Sequence, residues 1–380
     1  FIALTNSRAF RRLGNYPEPT RLPRISVLVP ARNEAKNIQA CVESLLNQNY
    51  PDFEVVVLDD ESTDDTWERL KRLRKKDNRL KIIKGKSLPE GWIGKHWACH
   101  QLSQKARGEL YLFTDADTRH HPSTLQDAVA AFEAENADFM TALPREEAET
   151  FGEKLTIPIM SFGIISFLPV GIAHRSHSPL LSLTVGQFMM IRADTYEEIG
   201  GHESVKQDVL DDVSLGRRVK AHRLNWRIVD ACNHINCRMY NNIQEVSDGF
   251  SKNLFATFGN SVFIYIPVWL WLTAVFIFPV FVIGLAVAGG NVSETCLLLA
   301  LVTIGFSLIL WSITHLRFRY PLYLTLLYPV MVFLWVVMAM RSMVLSLAGQ
   351  TFWKGRNLDL DTDLIEDIDD EEAEVRDRTV

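Results

Sequence analysis

Short apolar runs alternate with amphipathic stretches over the first 230 residues of the chain. Continuous apolar runs predict buried β-strands at Arg24–Pro30, Phe53–Leu58, Leu80–Ile83, Leu110–Thr114, Phe139–Leu143, Gln187–Arg192 and Asn225–Asp230. Between them, apolar residues three and four apart predict helices near residues 38–48, 61–75, 95–106, 122–134 and 211–222. Strands that alternate with helices predict an α/β fold around a mostly parallel sheet with right-handed crossovers.

The pattern changes after Gly249, where long apolar stretches begin. The stretches Val262–Ala288, Thr295–Ile313 and Leu322–Leu347 approach the length of about 20 residues that crosses a bilayer. His315, Arg317 and Arg319 lie between the second and third stretches and predict a cytosolic loop, which places the preceding domain in the cytosol as well.

Three crossings would put Lys354, Arg356 and the C-terminal tail outside, against the tendency of basic residues to remain inside. Three alternatives follow: the third stretch does not cross fully, residues 151–185 add a crossing, or the tail is outside. We favour a cytosolic tail.

Polar residues follow three of the predicted strands at their carboxyl ends. They are the segment Pro30–Glu34, the pair Asp59 and Asp60, and the pair Asp115 and Asp117. Ligands of parallel α/β sheets bind at this edge, so the three groups are expected to converge. Asp115 and Asp117 leave the strand on one side, and their carboxylates suit Mg²⁺ or Mn²⁺. Turns and helix caps are the purely structural alternatives.

Residues 151–185 are apolar but are interrupted by Pro158, Pro169 and Pro179. So many breaks argue against an ordinary spanning helix and predict an interfacial or re-entrant segment over the site. A long insertion into the core is the alternative.

Charge and cysteine content refine this picture. The net charge of the 380 residues is −6, but Asp359–Val380 alone carries −9, which leaves +3 elsewhere. Such an acidic block predicts a disordered tail.

The five cysteines form no CxxC pair, which favours a reducing compartment, and the trio Cys232, His234 and Cys237 lacks the fourth ligand of a structural zinc site. At the start of the chain, FIAL precedes three arginines and is compatible with the end of a hydrophobic anchor.

The ordered motifs resemble those of a known family. They are VPARNE, LDD, TDAD, GQFMMIRADTYEEIGGH, LDDVSLGRRVK and, after the apolar stretches, WKGR. This set resembles membrane-attached glycosyltransferases of family 2, nearest to the hopanoid-associated and carotenoid-type subgroup, from about Arg24 to Arg356. The resemblance implies a GT-A fold, an inverting transfer from a nucleotide-diphosphate sugar, usually a UDP-sugar, and a divalent cation, Mg²⁺ or Mn²⁺.

The resemblance also implies roles for individual residues. The nucleotide-sugar contacts correspond to Pro30, Ala31, Arg32, Glu34, Asp59, Asp60 and Asp115, and the metal ligands to Asp117 and Asp115. The catalytic acid pair corresponds to Asp211 and Asp212, with Asp212 as base. The family pattern has Glu at the first of these two positions. An ordinary helix cap is the alternative for this pair. The QxxRW motif of processive relatives is absent, and Cys237–Tyr240 stands in its place, which favours transfer of one sugar.

Other residues are assigned by their chemistry. Lys95 and Arg238 are expected to share the negative charge of the diphosphate, with a solvated surface cation as the alternative. Gln187 and His202 are expected on the acceptor side, although His202 also suits a structural turn. Burial would raise the pKa of Asp212 and a helix start would lower it, and the sequence does not decide between them.

The expected organisation is a juxtamembrane segment (1–23), a GT-A domain (24–250), a membrane part (251–357) and an acidic tail (358–380). We expect an integral protein of the bacterial inner membrane, with a cytosolic catalytic domain that transfers one sugar to a lipid-like acceptor. The expected partners are the nucleotide sugar, the lipid and the bilayer, with no nucleic acid. The alternatives are a polyprenyl-phosphate sugar synthase and a catalytically inactive membrane scaffold.

Overall fold

The computed structural model describes residues 1–348, 352–353 and 356–357. Its centre is a seven-stranded sheet in the order β3-β2-β1-β4-β8-β6-β9. Within it, β8 runs antiparallel to both of its neighbours and the other pairs are parallel, so the predicted mostly parallel sheet is confirmed. The strands of this sheet are β1 (Ile25–Ala31), β2 (Phe53–Asp59), β3 (Leu80–Lys84), β4 (Leu110–Phe113), β6 (Phe139–Leu143), β8 (Met189–Arg192) and β9 (Trp226–Asp230).

A smaller sheet lies beyond the carboxyl edge of the first one. It consists of β5 (Thr118–His120), β10 (Ile235–Cys237) and β7 (Arg145–Glu146), in that order. Because β5 follows directly on Asp115 and Asp117, this sheet fixes the end of β4. Cys237 pairs with both Thr118 and Glu146, so the small sheet brings residues from three distant parts of the chain together.

Helices cover both faces of the large sheet, as continuously apolar strands require. The helix α2, for example, buries Ile38, Cys41, Val42 and Leu45, the stripe predicted from its sequence. The helices up to β9 are α1 (Ile2–Ala9), α2 (Ile38–Leu46), α3 (Thr66–Arg74), α4 (Gly94–Ser103), α5 (Thr124–Ala134), α6 (Phe151–Thr156), α7 (Pro158–Phe167), α8 (Val170–Ala173), α9 (Ala193–Glu198) and α10 (Asp211–Ala221).

The helix predicted from Glu61 begins five residues later, at Thr66. Glu61 adopts a left-handed conformation with φ of 53°, which is incompatible with a helix. The Asp64 carboxylate then accepts hydrogen bonds from the Thr66 backbone and hydroxyl at 3.0 and 2.5 Å. This local turn competes with the first helical turn and delays it.

Three segments after Gly249 are long and apolar enough to cross a membrane: Val262–Val287, Glu294–Phe318 and Leu322–Leu347. The elements of this region are α11 (Ile243–Thr257), α12 (Val262–Phe276), α13 (Phe278–Val287), α14 (Glu294–Phe318) and α15 (Tyr328–Leu347), with a 3₁₀ turn at Leu322–Leu327. The first segment is divided at Ile277 because Pro279 lies within the next helical turn.

The second segment is longer than predicted, and it includes two residues that were expected in a loop. His315 and Arg317 lie within the last turn of α14. The Arg317 guanidinium lies 2.9 Å from the Asp230 carboxylate at the end of β9. This end of α14 is therefore anchored to the sheet domain.

Residues 151–185 form short helices that pack between the sheet domain and the long apolar helices. Phe162 of α7 stacks on Trp311 of α14 at 4.1 Å between ring centroids. The Trp335 indole of α15 donates to the Thr156 carbonyl at 2.6 Å. Their longest helix, α7, has ten residues and a length of about 15 Å, too short to cross a bilayer. The segment is not among the three helices that are long and apolar enough to cross a membrane within the described residues, and the alternative that it adds a crossing stays a prediction.

Candidate active site at the carboxyl edge of the sheet

Three predicted site residues from different elements meet around one glycine. Lys95 of α4 lies with its Nζ 2.8 Å from Asp115 Oδ1, at the end of β4. A Cβ atom on Gly186 would lie 3.0 Å from Lys95 Nζ, 3.4 Å from Asp212 Oδ2 and 3.6 Å from Asp115 Oδ2. The Lys95 ammonium and the carboxylates of Asp115 and Asp212 therefore converge on the backbone of Gly186.

The two acids that open α10 have opposite electrostatic surroundings. Burial and the neighbouring Asp211 carboxylate raise the pKa of Asp212 to about 7, against the opposing effect of Lys95. Burial would also raise the pKa of Asp211, but Lys95 and the His202 ring hold it well below its usual range. Asp211 is therefore charged, and Asp212 exchanges a proton near neutral pH. Such a difference between the two pKa values is expected when one member of an acid pair acts as base.

His202 lies behind Asp211 rather than on an open acceptor side. It has no exposed surface, and its Nε2 lies 3.5 Å from Asp211 Oδ2. Its Nδ1 lies 2.7 Å from the Tyr196 hydroxyl. These surroundings fit the alternative of a histidine buried beside a structural turn, and the assignment of His202 to the acceptor side stays a prediction.

Asp117 belongs to a second group of acids on the small sheet. Burial raises the pKa of Asp117 to about 7, with the Asp115 and Glu34 carboxylates adding to the effect. Burial and Asp117 raise the pKa of Glu146 to about 8. Gln187 is buried and its side-chain amide donates to Glu146 at 3.4 Å. Gln187 therefore contacts this acid group.

These carboxylates fit a divalent cation. Asp115 and Asp117 offer only oxygen ligands, and burial, followed by the nearby Asp115 and Glu34 carboxylates, disfavours the charged form of Asp117 and raises its pKa. Among the described residues, a separate trio of possible ligands, Cys99, His202 and Asp211, has donor atoms within 4.8 Å of one another. That trio is buried and contains a thiol, so it differs from the oxygen site predicted for Mg²⁺ or Mn²⁺.

The predicted nucleotide segment and the Asp59–Asp60 pair lie side by side. The Asp60 backbone donates to the Ala31 carbonyl at 2.8 Å, and Arg32 Nη1 donates to the Asp60 carbonyl at 2.7 Å. The Glu34 backbone donates to the Thr66 hydroxyl at 2.9 Å. Pro30 is half-buried at the end of β1 and Asp59 is buried at the end of β2, so the expected convergence of strand ends is confirmed.

The remaining predicted positions are Arg238 and the trio Cys232, His234 and Cys237. The Arg238 guanidinium pairs with Glu149 and lies 4.0 Å from Glu153, so it faces α6 rather than Asp115. Cys232, His234 and Cys237 contact three separate partners. These partners are the Arg317 carbonyl, the Asp127 carboxylate and the Asp117 carboxylate.

The sequence reasoning missed Gly186 and Glu146. Gly186 lies between Val185 and Gln187, shortly before β8, and an isolated glycine beside a strand signals close backbone approach. Glu146 lies between Arg145 and Glu147 in the charged run REE that follows β6. Its contact with the site depends on the pairing of β7 with β10, a long-range contact that local sequence does not reveal.

Part of the chain is similar in sequence to known glycosyltransferases. The sequence model of glycosyl transferase family 2 matches residues 26–200. The beta-monoglucosyldiacylglycerol synthase of Nostoc sp. is 34% identical over 116 residues, which are 30% of this chain and 24% of that protein. The 4,4'-diaponeurosporenoate glycosyltransferase of Staphylococcus aureus is 22% identical over 238 residues, 60% of each protein. The matches thus span less than two thirds of either relative.

A solved structure extends the likeness over almost the whole chain. The mannosyltransferase from Pyrobaculum calidifontis in complex with GDP-Man and Mn²⁺ superposes with a TM-score of 0.55 at 19% identity, covering 91% of this chain and 93% of that one. The predicted GT-A fold is confirmed.

Proposed function

We propose that this chain, whose residues 26–200 match the sequence model of glycosyl transferase family 2, transfers one sugar from a UDP-sugar to a hydroxyl group of a lipid-like acceptor at the cytosolic membrane face. One observation carries the proposal. Asp212, with a pKa of about 7, lies beside Gly186 together with Lys95 and Asp115, at the edge of the sheet where parallel α/β folds bind ligands.

In the proposed reaction, Asp212 accepts the proton of the acceptor hydroxyl as its oxygen forms a bond to the anomeric carbon of the sugar. The bond between that carbon and the diphosphate oxygen breaks, and its electron pair leaves with the nucleoside diphosphate. Attack from the face opposite the leaving group inverts the anomeric centre. A base with a pKa near the working pH combines a useful deprotonated fraction with enough basicity. Lys95 is placed to offset charge on the departing diphosphate.

Asp117 and Asp115 would hold the divalent cation. When bound, a cation offsets negative charge on the diphosphate leaving group. It would also relieve the mutual repulsion of Asp115, Asp117 and Glu34, which contributes to the raised pKa of Asp117.

The apolar part of the molecule supports a lipid-like acceptor. The helices α6 and α7 pack on α14 and α15, so the sheet domain and the three apolar segments share a core. The names of the two curated relatives refer to a diacylglycerol and a diaponeurosporenoate product or substrate. We assign residues 24–250 to catalysis and 251–357 to the membrane.

Transfer is tested with the purified chain in lipid nanodiscs, radiolabelled UDP-sugars and total bacterial lipid, with and without Mn²⁺. We expect a labelled lipid with the wild type and Mn²⁺, and a loss of roughly 10²–10⁴-fold in Asp212→Asn, the usual contribution of a general base. Asp194→Asn is the matched control, because Asp194 is exposed in α9, immediately after the antiparallel strand β8.

Two outcomes would contradict the proposal. If only acceptors that carry a polyprenyl phosphate became labelled, the chain would be a polyprenyl-phosphate sugar synthase. If calorimetry found no nucleotide binding with Mn²⁺ present, the chain would be an inactive scaffold.

A further inference from the structure

A cavity outside the candidate active site lies where the N-terminal helix meets the apolar helices. Its volume is about 310 Å³. Ala3 and Ser7 of α1 form one wall, and Ile165 of α7 forms another. Ile313 and Leu316, from the last turns of α14, form the third. None of the residues assigned to sugar transfer lines it.

Two guanidinium groups complete the lining, those of Arg12 and Arg317. Both approach the same carboxylate, Asp230 Oδ2, at 3.7 and 2.9 Å. The Asp230 side chain has no exposed surface, whereas 44% of the Arg12 side chain is exposed. Two positive charges thus share one buried negative charge, and the half-exposed Arg12 side chain lines the cavity. Arg8 and Arg319, both exposed, add positive charge nearby.

The opposite side of the cavity continues into an exposed apolar surface. Leu316 is 64% exposed at the end of α14, and Leu4 of α1 is 66% exposed. Because α14 is apolar enough to cross a membrane, its last turn lies where the hydrocarbon gives way to head groups. A ligand here would meet guanidinium groups on one side and hydrocarbon on the other.

We propose that this cavity binds an anionic diacyl phospholipid, with its phosphate on Arg12 and Arg317 and one acyl chain along Ile313 and Leu316. Planar guanidinium groups suit phosphate oxygens, and basic residues beside a membrane helix attract anionic lipids. A phosphate near Arg12 and Arg317 would balance the charge that Asp230 leaves unmatched. An uncharged lipid would not provide this balance.

The bound lipid would connect the membrane to residues 151–185, which pack between the sheet domain and the apolar helices. Asn6 of α1 has no exposed surface, and its amide donates to the carbonyls of Ile165 and Leu168 at 2.9 and 2.7 Å. Its Oδ1 accepts from the Val170 backbone at 3.1 Å. α1 therefore holds the break between α7 and α8, and a lipid between α1 and α14 would support that arrangement. The lipid is a bound component and is not consumed.

The inference rests on the membrane location in the proposed function and not on sugar transfer, so its test contains no donor sugar. The full chain is purified in uncharged detergent and titrated with phosphatidylglycerol or phosphatidylcholine of the same acyl chains, with binding followed by native mass spectrometry. Glycerol 3-phosphate serves as the head group without chains. We expect phosphatidylglycerol to bind more tightly than phosphatidylcholine, and glycerol 3-phosphate not to bind.

Three variants locate the binding. Arg12→Gln should weaken phosphatidylglycerol binding roughly fivefold, the effect of one charge near an anionic lipid. Ser7→Trp should weaken it by filling the cavity from an exposed position without a change of charge. Arg11→Gln is the matched control, because Arg11 is the adjacent arginine but packs on Tyr16 with its guanidinium 4.0 Å from the ring centroid.

Equal losses in Arg11→Gln and Arg12→Gln would overturn the proposal, because binding would then follow overall charge. Unchanged binding in Ser7→Trp, or binding of glycerol 3-phosphate as tight as that of the lipid, would overturn it too. Thermal melts of each variant distinguish a loss of lipid binding from a loss of folding. An inactive chain that still binds phosphatidylglycerol in this pattern would refute sugar transfer and leave the lipid site intact.

Discussion

At the scale of single residues, the site depends on how two adjacent carboxylates are divided by their surroundings. Asp211 faces His202, and Lys95 lowers its pKa, whereas Asp212 lies against Asp211 in a buried position that raises its pKa. A carboxylate whose charged form is disfavoured is a poor contributor to stability but a better base.

Replacement of Asp212 by Asn should therefore stabilise the protein while it lowers the rate of transfer. The pKa of about 7 means that the charged form is disfavoured in the fold at neutral pH, and Asn removes that charge at nearly equal size. We expect a gain of about 1–2 kcal/mol and a melting temperature higher by about 2–4 °C at pH 8. Differential scanning fluorimetry checks this result, and a lower melting temperature than that of wild type would contradict it.

Gly186 should tolerate no side chain without a loss of function. In Gly186→Ala, the new Cβ would stand 3.0 Å from Lys95 Nζ, and the flexible lysine would have to move away from Asp115. We expect transfer to fall by at least about tenfold in kcat, with folding preserved. Gly163→Ala in α7 is the control, since no atom of the described residues lies within 4 Å of the position of its Cβ. Equal activity of the two variants would show that Lys95 has no role.

At the scale of elements, local patterns predicted most strands and helices but not how their ends are arranged. Apolar runs and periodicity predicted β1, β2, β6 and α2. Strands that are buried on both faces are continuously apolar, and a helix that packs along one face has apolar residues three and four apart. The start of α3 at Thr66 did not follow, because a side-chain turn at Asp64 replaces the first helical turn. The extra turns of α14 depend on Asp230, a partner 87 residues before Arg317.

The contact between α15 and α6 is a test at this scale. Trp335 has 4% of its surface exposed and donates its indole proton to the Thr156 carbonyl. Trp335→Phe removes the donor and leaves a buried carbonyl without it, which should cost about 1–3 kcal/mol. Trp271→Phe, at a position that is 51% exposed, should change stability by less than about 0.5 kcal/mol. Denaturation in detergent distinguishes them, and equal effects would contradict the packing described for α15.

At the scale of the whole molecule, the sheet edge was predictable, and the second sheet behind it was not. The convergence of Pro30–Glu34, Asp59–Asp60 and Asp115 follows from the direction of parallel strands. Glu146 arrives through β7 and β10, and His202 is turned inward by tertiary packing that no local motif encodes. The pKa of Asp212 could not be predicted from the sequence, because burial raises it and the helix terminus lowers it.

The most direct test of the account is the pH dependence of kcat/KM for sugar transfer, measured from pH 5 to 9 with Mn²⁺ at a fixed saturating concentration. Asp212 must lose its proton to act as base, so the rate should rise as the pH increases through about 7 and level off above it. The residual activity of Asp212→Asn should lack this rise. A wild-type profile that is flat across pH 7, or a rise that persists unchanged in Asp212→Asn, would contradict the assignment of Asp212 as the catalytic base.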